Sequence, residues 1–151
     1  MTSTVKQELY ELCQEYIRKR IDSARAAISG AQQSANEETR SSSGDKYETG
    51  RAMAQLEIEK NAHQLSESLK LKSSLDSIRT DIKSLTAQPG TLVVTDQGSF
   101  FIAISLGKII HREKVYFVIA PASPLGLQFL GAKVGDKVNF RNGTYVVREL
   151  V

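Results

Sequence analysis

Residues 41–45 read Ser41-Ser42-Ser43-Gly44-Asp45, a short polar stretch inside a segment, residues 3–88, that contains no proline. Serine, glycine and aspartate favour turns and helix ends, because they tolerate turn geometry or hydrogen-bond to backbone groups that a helix leaves unpaired. The stretch therefore predicts that one helix ends close to its first residue and that a second helix begins close to its last.

The segment before this turn has apolar residues at spacings of three and four. Such spacing puts them on one face of a helix and is typical of a coiled coil. Gln14 is the one polar interruption of this seam, whose other members are Tyr10, Ile17, Ile21, Ala24, Ile28, Ala31 and Ala35.

The segment after the turn has a second seam, which slips by about one residue near Lys70. Its members are Ala54, Ile58, Ala62, Leu65 and Leu69, followed by Leu71, Leu75, Ile78, Ile82 and Leu85. If the two helices fold back antiparallel, facing positions have a constant total of residue numbers. Pairs such as 35 with 54 and 21 with 69 total 89 or 90, which places the fold point at Gly44-Asp45, inside the predicted turn.

The second half of the chain has a different composition, with all three prolines and seven of the ten glycines in residues 89–151. Short runs rich in β-branched and aromatic residues predict strands at 91–95, 99–105, 108–110, 114–120, 137–141 and 144–148. Residues 124–130 suit a short helix, and Asn142-Gly143 predicts a tight hairpin turn. We expect an α+β protein with a coiled-coil hairpin over residues 1–88 and a small antiparallel sheet domain over 89–151.

Composition limits the classes of function. The chain has 151 residues and a formal charge of +3, with 13 basic and 13 acidic residues before residue 89 and seven against four after it. The lone cysteine, Cys13, excludes an intramolecular disulfide and is expected to be a small buried side chain. No apolar stretch approaches the roughly 20 residues of a membrane span. We expect a cytoplasmic monomer without a membrane partner.

Asp45 and Glu48 are the residues most able to carry chemistry. Their spacing of three lets both carboxylates project from one face at the start of the second helix. Asp-x-x-Glu is also the pattern of a capping box, in which both side chains satisfy backbone amides. Two carboxylates alone are an incomplete Mg²⁺ site, because the ion takes six oxygen ligands. A partner would have to supply the remaining ligands.

The segment Gly44-Asp45-Lys46-Tyr47-Glu48-Thr49-Gly50 resembles the Gly-Asp-x-x-Glu-Asn-Ala motif at the hairpin end of the bacterial Gre transcript cleavage factors, and Ala24-Arg25 resembles their approach to it. Residues 123–138, from Ser123-Pro124 through Gly131, Lys133 and Gly135-Asp136, resemble a segment of the FKBP-like domain that follows the hairpin in that family. The resemblance covers nearly the whole chain.

The resemblance implies that the hairpin enters the secondary channel of RNA polymerase and stimulates cleavage of backtracked transcripts. Asp45 would help to hold the second catalytic Mg²⁺, shared with the polymerase, and Glu48 would assist it or orient the water. The polymerase remains the enzyme, and the nascent RNA 3′ end is a second partner; no cofactor of the chain's own is expected. Thr49-Gly50 replaces the family's Asn-Ala, and Gly50 weakens a helix by roughly 1 kcal/mol relative to alanine.

Three further sets of residues are candidates for binding. Basic residues on the first helix either line a solvated flank or contact RNA or the channel wall: Arg18, Lys19, Arg20 and Arg25. Tyr47 either packs on the turn or meets a base. Candidates for anchoring the polymerase are Ser123, Pro124, Gly131, Lys133 and Asp136. His63 and His111 are expected to be structural or exposed.

Other functions stay open at this point. The same hairpin suits a channel-binding regulator that does not stimulate cleavage. An FKBP-like topology also suits a prolyl isomerase or peptide-binding module, although the chain has no tryptophan. A coiled-coil scaffold or holdase would expose apolar residues near the turn, where this sequence has polar ones.

Overall fold

The computed structural model describes residues 2–38 and 44–151, with side chains for residues 5–37 and 48–151. It begins with two long helices, α1 over Thr2–Glu38 and α2 over Gly44–Asp76. The elements that follow are β1 Leu92–Thr95, β2 Gly98–Ile102, β3 Gly107–His111, β4 Lys114–Ile119, α3 Pro124–Phe129, β5 Lys137–Phe140 and β6 Gly143–Leu150. This order confirms the predicted fold class. Residues 41–43 of the predicted turn lie outside the described residues.

Internal contacts divide the chain into two compact units. The first comprises Met1–Gln14 and Ser73–Val151, and the second comprises Glu15–Lys72. The first unit therefore contains the beginning of α1, the end of α2 and all six strands, and the second contains the remaining parts of both helices. The domain boundary near Gln88-Pro89-Gly90 stays a prediction.

The buried face of α1 follows the predicted seam from Ile17 onward, through Ile21, Ala24 and Ala31. Before Ile17 the seam was placed one residue too late, because Leu9 and Cys13 are fully buried. Burial raises the pKa of the Cys13 thiol to about 12, which keeps it protonated. Its predicted role as a small buried side chain is confirmed.

The buried face of α2 departs from the predicted seam after Ile58. Asn61 is half-buried and Ser68 is 1% exposed, whereas Ala62 and Leu69 are exposed. The Ser68 hydroxyl donates to the Gln64 carbonyl oxygen at 2.8 Å, so its burial leaves no unpaired group. The buried face of α2 keeps spacings of three, four and seven and ends at the fully buried Leu75. Its members are positions 54, 58, 61, 65, 68 and 75.

The predicted register of the two helices is wrong by about one helical turn. Arg20 bonds Gln64 in the second unit, and Tyr10 bonds Leu75 in the first, so paired residue numbers total 84 and 85 instead of 89 or 90. Spacing alone does not distinguish the two registers, because residues of the same two buried faces also pair at the lower total: 31 with 54, 24 with 61 and 17 with 68 all total 85.

Helix α2 ends at Asp76, earlier than the predicted seam through Ile82 and Leu85. The Tyr10 hydroxyl donates to the Leu75 carbonyl oxygen at 2.9 Å, and the Ser77 hydroxyl donates to that of Ser74 at 2.7 Å. Both bonds satisfy carbonyls that a helix end leaves unpaired. Ile82 is 48% and Leu85 89% exposed, so neither belongs to a seam.

The six strands form one sheet in the order β3-β4-β2-β1-β6-β5. All neighbouring pairs are antiparallel except β2 and β4, which run parallel because the intervening strand β3 is an edge hairpin partner of β4. The sheet is therefore mixed, whereas a purely antiparallel one was predicted. The register between β1 and β6 shifts between Val94 and Thr95, and β6 pairs with β1 through its last residues and with β5 through its first.

One face of the sheet carries an apolar core that α3 helps to cover. Its buried members are Ala87, Val93, Phe100, Ile102, Phe129, Ala132, Val138, Val147 and Leu150. The rings of Phe100, Phe117, Phe129 and Tyr145 pack together with centroids 5.1–5.8 Å apart. Because aromatic rings in such contact stabilise one another in addition to their burial, this cluster is a rigid interior element.

The last hairpin turns one residue earlier than predicted. Phe140 pairs with Gly143, so the two turn residues are Arg141 and Asn142, and it is Arg141 that has a positive φ, 55°. Thr144 donates to the Asn139 side chain at 2.9 Å, a cross-strand contact that belongs to this register. Pairing across the strands thus outweighs the preference of Asn-Gly for the turn positions.

Candidate functional site

The first turns of α2 contain the two candidate acids. Helix α2 begins at Gly44, so Asp45 is its second residue and Glu48 lies one turn further on, with an exposed side chain. A capping box requires its first residue to precede the helix, and Asp45 lies inside it. The side chains of Asp45 and Tyr47 lie outside the described residues, and their roles stay predictions.

Two apolar side chains near this end of α2 were not singled out by the sequence. Met53 is 67% and Leu56 66% exposed, three residues apart on one outer face of the helix. An exposed apolar pair is what the scaffold hypothesis expected near the turn. The pair is small, and exposed patches of this size are common on monomeric proteins.

The basic residues of α1 have different surroundings. Arg18 donates to Glu15 at 2.5 and 3.0 Å and to Asp22 at 3.2 Å. The Glu15 hydrogen bond, and then its charge, raise the pKa of Arg18, and the bond from Arg18 lowers the pKa of Glu15. The charge of Arg18 is therefore largely balanced on its own helix.

Lys19 and Arg20 are less tightly bonded to carboxylates than Arg18 is. The Lys19 ammonium is 3.9 Å from Glu15, beyond hydrogen-bond distance. Arg20 lies over the Tyr16 ring at 5.6 Å and donates to Gln64 at 3.3 Å, and it makes no ion pair with a described residue. Both line an open groove between α1 and α2. Arg25 likewise has no carboxylate partner within the described part of the chain.

The candidate anchoring residues of the sheet domain form two compact turns. Ser123 caps α3: its hydroxyl accepts from the Gly126 amide at 3.0 Å and donates to the Ala120 carbonyl oxygen at 2.6 Å, while Pro124 occupies the first turn. Gly131 follows α3 with a φ of 86°. The Asp136 carboxylate accepts from the Lys133 amide at 2.9 Å. Their backbones are fixed by these bonds, whereas the Lys133 side chain is exposed.

A cluster that the sequence did not suggest joins α1 to the β3–β4 turn in the first unit. One Glu8 oxygen lies 2.7 Å from His111 Nε2, and the other accepts from Arg112 at 2.5 Å. Arg112 and Glu113 have φ values of 52° and 68°, a left-handed turn that presents Arg112. The hydrogen bond with His111 is the main cause that lowers the pKa of Glu8, aided by the charge of Arg112. His111 is thus structural, and His63 is exposed.

The described residues show neither a metal-binding cluster nor a membrane-spanning helix. They contain no group of three or more His, Cys, Asp or Glu side chains arranged to hold a metal ion. Neither long helix offers, over its described length, an apolar stretch sufficient to cross a bilayer.

Comparisons with known proteins give weak similarities. Neither a protein-family model nor a curated protein matches the chain. The crystal structure of GreA factor homolog 1 (Gfh1) of Thermus thermophilus is 16% identical, with 91% of this chain and 93% of that chain covered and a TM-score of 0.35. A structure of the transcription factor Gfh1 is 17% identical, with 90% and 91% covered and a TM-score of 0.34. Similarity of this degree establishes neither a family nor a function.

Proposed function

We propose that this chain is a Gre-like transcription elongation factor, which binds RNA polymerase, inserts the Glu38–Gly44 end of the helical pair into the secondary channel and stimulates cleavage of backtracked transcripts. The observation that carries the proposal is the position of Asp45 and Glu48, in the first turns of a 33-residue helix that is paired with another of 37 residues. Such a pair is long enough to reach a site inside a partner, since each residue adds about 1.5 Å.

The acids contribute to a site that the polymerase completes. Side chains three residues apart lie on the same side of a helix, so both carboxylates are presented together. Mg²⁺ prefers carboxylate oxygens and water, and when bound it would activate the water and stabilise the leaving oxygen. Asp45 is the proposed ligand, and exposed Glu48 is the proposed partner of the water. The nuclease activity belongs to the polymerase.

The sheet domain supplies the proposed anchor. The turns around Ser123 and Asp136 have rigid backbones because capping and side-chain bonds fix them. Lys133 and Leu127 project from this region, and Leu127 is 59% exposed. An exposed apolar side chain such as Leu127 offers area that a protein partner can bury.

To test the proposed function, the purified protein is added to backtracked elongation complexes of its own polymerase, and the length of the RNA is followed. We expect shortening with wild type, and no shortening with Asp45→Ala or Glu48→Ala, while both variants still bind. Lys46→Ala is the matched control, since it leaves both acids in place. Retained cleavage in both acid variants would contradict the proposal.

A channel-binding regulator without cleavage activity is the second candidate, favoured by Thr49-Gly50 in place of Asn-Ala. Glycine in a helix costs about 1 kcal/mol relative to alanine, which loosens the turn that carries the acids. This candidate predicts that the wild-type protein blocks a Gre factor from the same complexes without shortening RNA. Thr49→Asn with Gly50→Ala should then restore cleavage.

The remaining alternatives have less support. The peptide-binding hypothesis needs an open aromatic pocket, but Phe100 and Phe129, the last residue of α3, are buried within the ring cluster. The scaffold hypothesis is supported only by Met53 and Leu56. If it holds, Met53→Gln with Leu56→Gln should abolish binding of unfolded client proteins and leave polymerase binding unchanged.

A further inference from the structure

The groove between α1 and α2 in the second unit has a volume of about 350 Å³. Its lining includes Tyr16, Lys19, Arg20, Ser23, Asn61 and Gln64, and no aspartate or glutamate lines it within the described chain. Ligand sites commonly have volumes of roughly 300–1,000 Å³, so the groove is large enough for a phosphorylated group. Lys19 and Arg20 are the charged residues that line it, and two carboxylates lie beside the lining: Glu15, 3.9 Å from Lys19, and Glu57, which accepts from Asn61 at 3.1 Å.

Of the two cations in the groove, Arg20 is held in place without an ion pair to a described residue, whereas Lys19 has a long ion pair with Glu15, at 3.9 Å. Contacts with the Tyr16 ring and with Gln64 Oε1 orient the Arg20 guanidinium, and these use only one of its five donors. The nearest acid to Lys19 is Glu15, whose carboxylate is already bonded twice by Arg18. The Lys19 ammonium and the Arg20 guanidinium therefore lie at the same groove, and both have N–H donors that are not used in hydrogen bonds to described residues.

The remaining donors favour phosphate over a carboxylate. Within α2, the Ser68 hydroxyl donates to the Gln64 carbonyl oxygen, and the Asn61 amide donates to the carbonyl oxygen and the carboxylate of Glu57. Ser23 is exposed, and its hydroxyl has no bond to a described residue. A phosphate carries about −1.5 to −2 charges and three acceptor oxygens, which match two cations and one hydroxyl. A planar guanidinium also binds phosphate through paired bonds.

We propose that this groove is a phosphate-binding site, in which Arg20 and Lys19 bind the anion and Ser23 adds a hydroxyl bond. The phosphate comes from a free nucleotide or from a nucleic-acid strand. If the phosphate belongs to a nucleic-acid strand, that strand would be the transcript, and this part of the proposal rests on the proposed function. The three proposed ligands of the anion lie close together on α1, and Arg18 is not one of them.

The test uses the isolated full chain, so its outcome is separate from that of the cleavage assay. Titration calorimetry at low and physiological salt measures binding of pyrophosphate, adenosine diphosphate and an eight-nucleotide single-stranded RNA. Arg20→Gln and Arg18→Gln remove the same charge two residues apart and form the matched pair. Circular dichroism verifies that helix content is kept.

We expect Arg20→Gln to weaken binding about tenfold or more, the size of a lost charged hydrogen bond, and Arg18→Gln to weaken it less than twofold. If Arg20→Gln loses helix content, Lys19→Gln decides, because Lys19 makes no hydrogen bond that supports the fold. Binding of the small anions identifies a nucleotide site, and binding of RNA alone identifies a strand site. Equal weakening by Arg18→Gln and Arg20→Gln, or no binding of any probe, overturns the proposal.

Discussion

Arg18 and Arg20 have the same charge and lie two residues apart, yet they face different surroundings. Arg18 is bonded to two carboxylates on its own helix, whereas Arg20 stands over an aromatic ring beside a groove without acids. A sequence shows both as members of one basic run. What separates them is the identity of the residues one turn away and across the groove, which depends on the register of the two helices.

Gly126 is a residue whose small size the fold requires. A Cβ atom added there would lie 2.1 Å from the Ala120 carbonyl oxygen and 2.8 Å from the Ser123 hydroxyl. We expect Gly126→Ala to lower the free energy of unfolding by roughly 1–3 kcal/mol, because the backbone of the α3 cap must move. Urea unfolding measures the change.

Gly143→Ala is its control, since the added Cβ would meet neighbours at 3.6 Å, an ordinary contact. This change should alter the free energy of unfolding by no more than about 0.5 kcal/mol. Equal destabilisation of the two variants would show that the close approach at Gly126 is not what costs stability.

Glu8 makes stability depend on pH. Its pKa in the folded chain lies below the ordinary value of 4.5, mainly because of the His111 hydrogen bond. The stability that it contributes is therefore fully present above the ordinary value and is lost as pH falls through the lowered one. We expect Glu8→Gln to lower the melting temperature at pH 7 and to flatten its decline in acid.

Melting temperatures between pH 7 and pH 3 test this. Glu11→Gln serves for comparison, because Glu11 is exposed on the same helix and its one side-chain bond, to Gln7, is 3.5 Å long. If Glu8→Gln and wild type decline in parallel, Glu8 does not have the linkage inferred from its contacts.

At the scale of elements, periodicity was sufficient for most of the fold. Helix α1, the six strands and α3 lie close to where the sequence predicted, because alternation and three-four spacing follow directly from strand and helix geometry, whereas α2 ends at Asp76 and not near Leu85. The errors came where polar residues are buried. Ser68 satisfies its hydroxyl within its own helix, so the chain can bury it, and hydropathy alone favours Leu69 as the seam member.

The position of the α2 seam can be tested with two alanines. Ala54 is 8% exposed and Ala62 is exposed, although the sequence predicted both to be in the seam. We expect Ala54→Gln to cost about 1–3 kcal/mol, because a longer polar side chain must enter a packed face, and Ala62→Gln to cost less than about 0.5 kcal/mol. Chemical denaturation gives both values, and a larger cost at Ala62 would favour the seam predicted from the sequence.

At the scale of the whole molecule, the sequence indicated which residues could act but not whether they do. The spacing of Asp45 and Glu48 and their position at the start of a long helix are local properties that a sequence pattern can indicate. A metal site shared with a partner is different, because its remaining ligands belong to another protein. The Glu8–His111–Arg112 cluster was missed for a related reason: it joins residues about a hundred positions apart without a motif.

The central claim is that the beginning of α2 reaches the catalytic centre of RNA polymerase. Replacing Tyr47 by the photocrosslinker p-benzoylphenylalanine, and irradiating backtracked complexes that contain the protein, tests this contact directly. The same probe at Leu85, which is 89% exposed outside the helices, is the control. We expect crosslinks from position 47 to the RNA 3′ end or to polymerase peptides around the catalytic Mg²⁺, and none there from position 85. Crosslinks from position 47 only to the outer surface of the polymerase would contradict it.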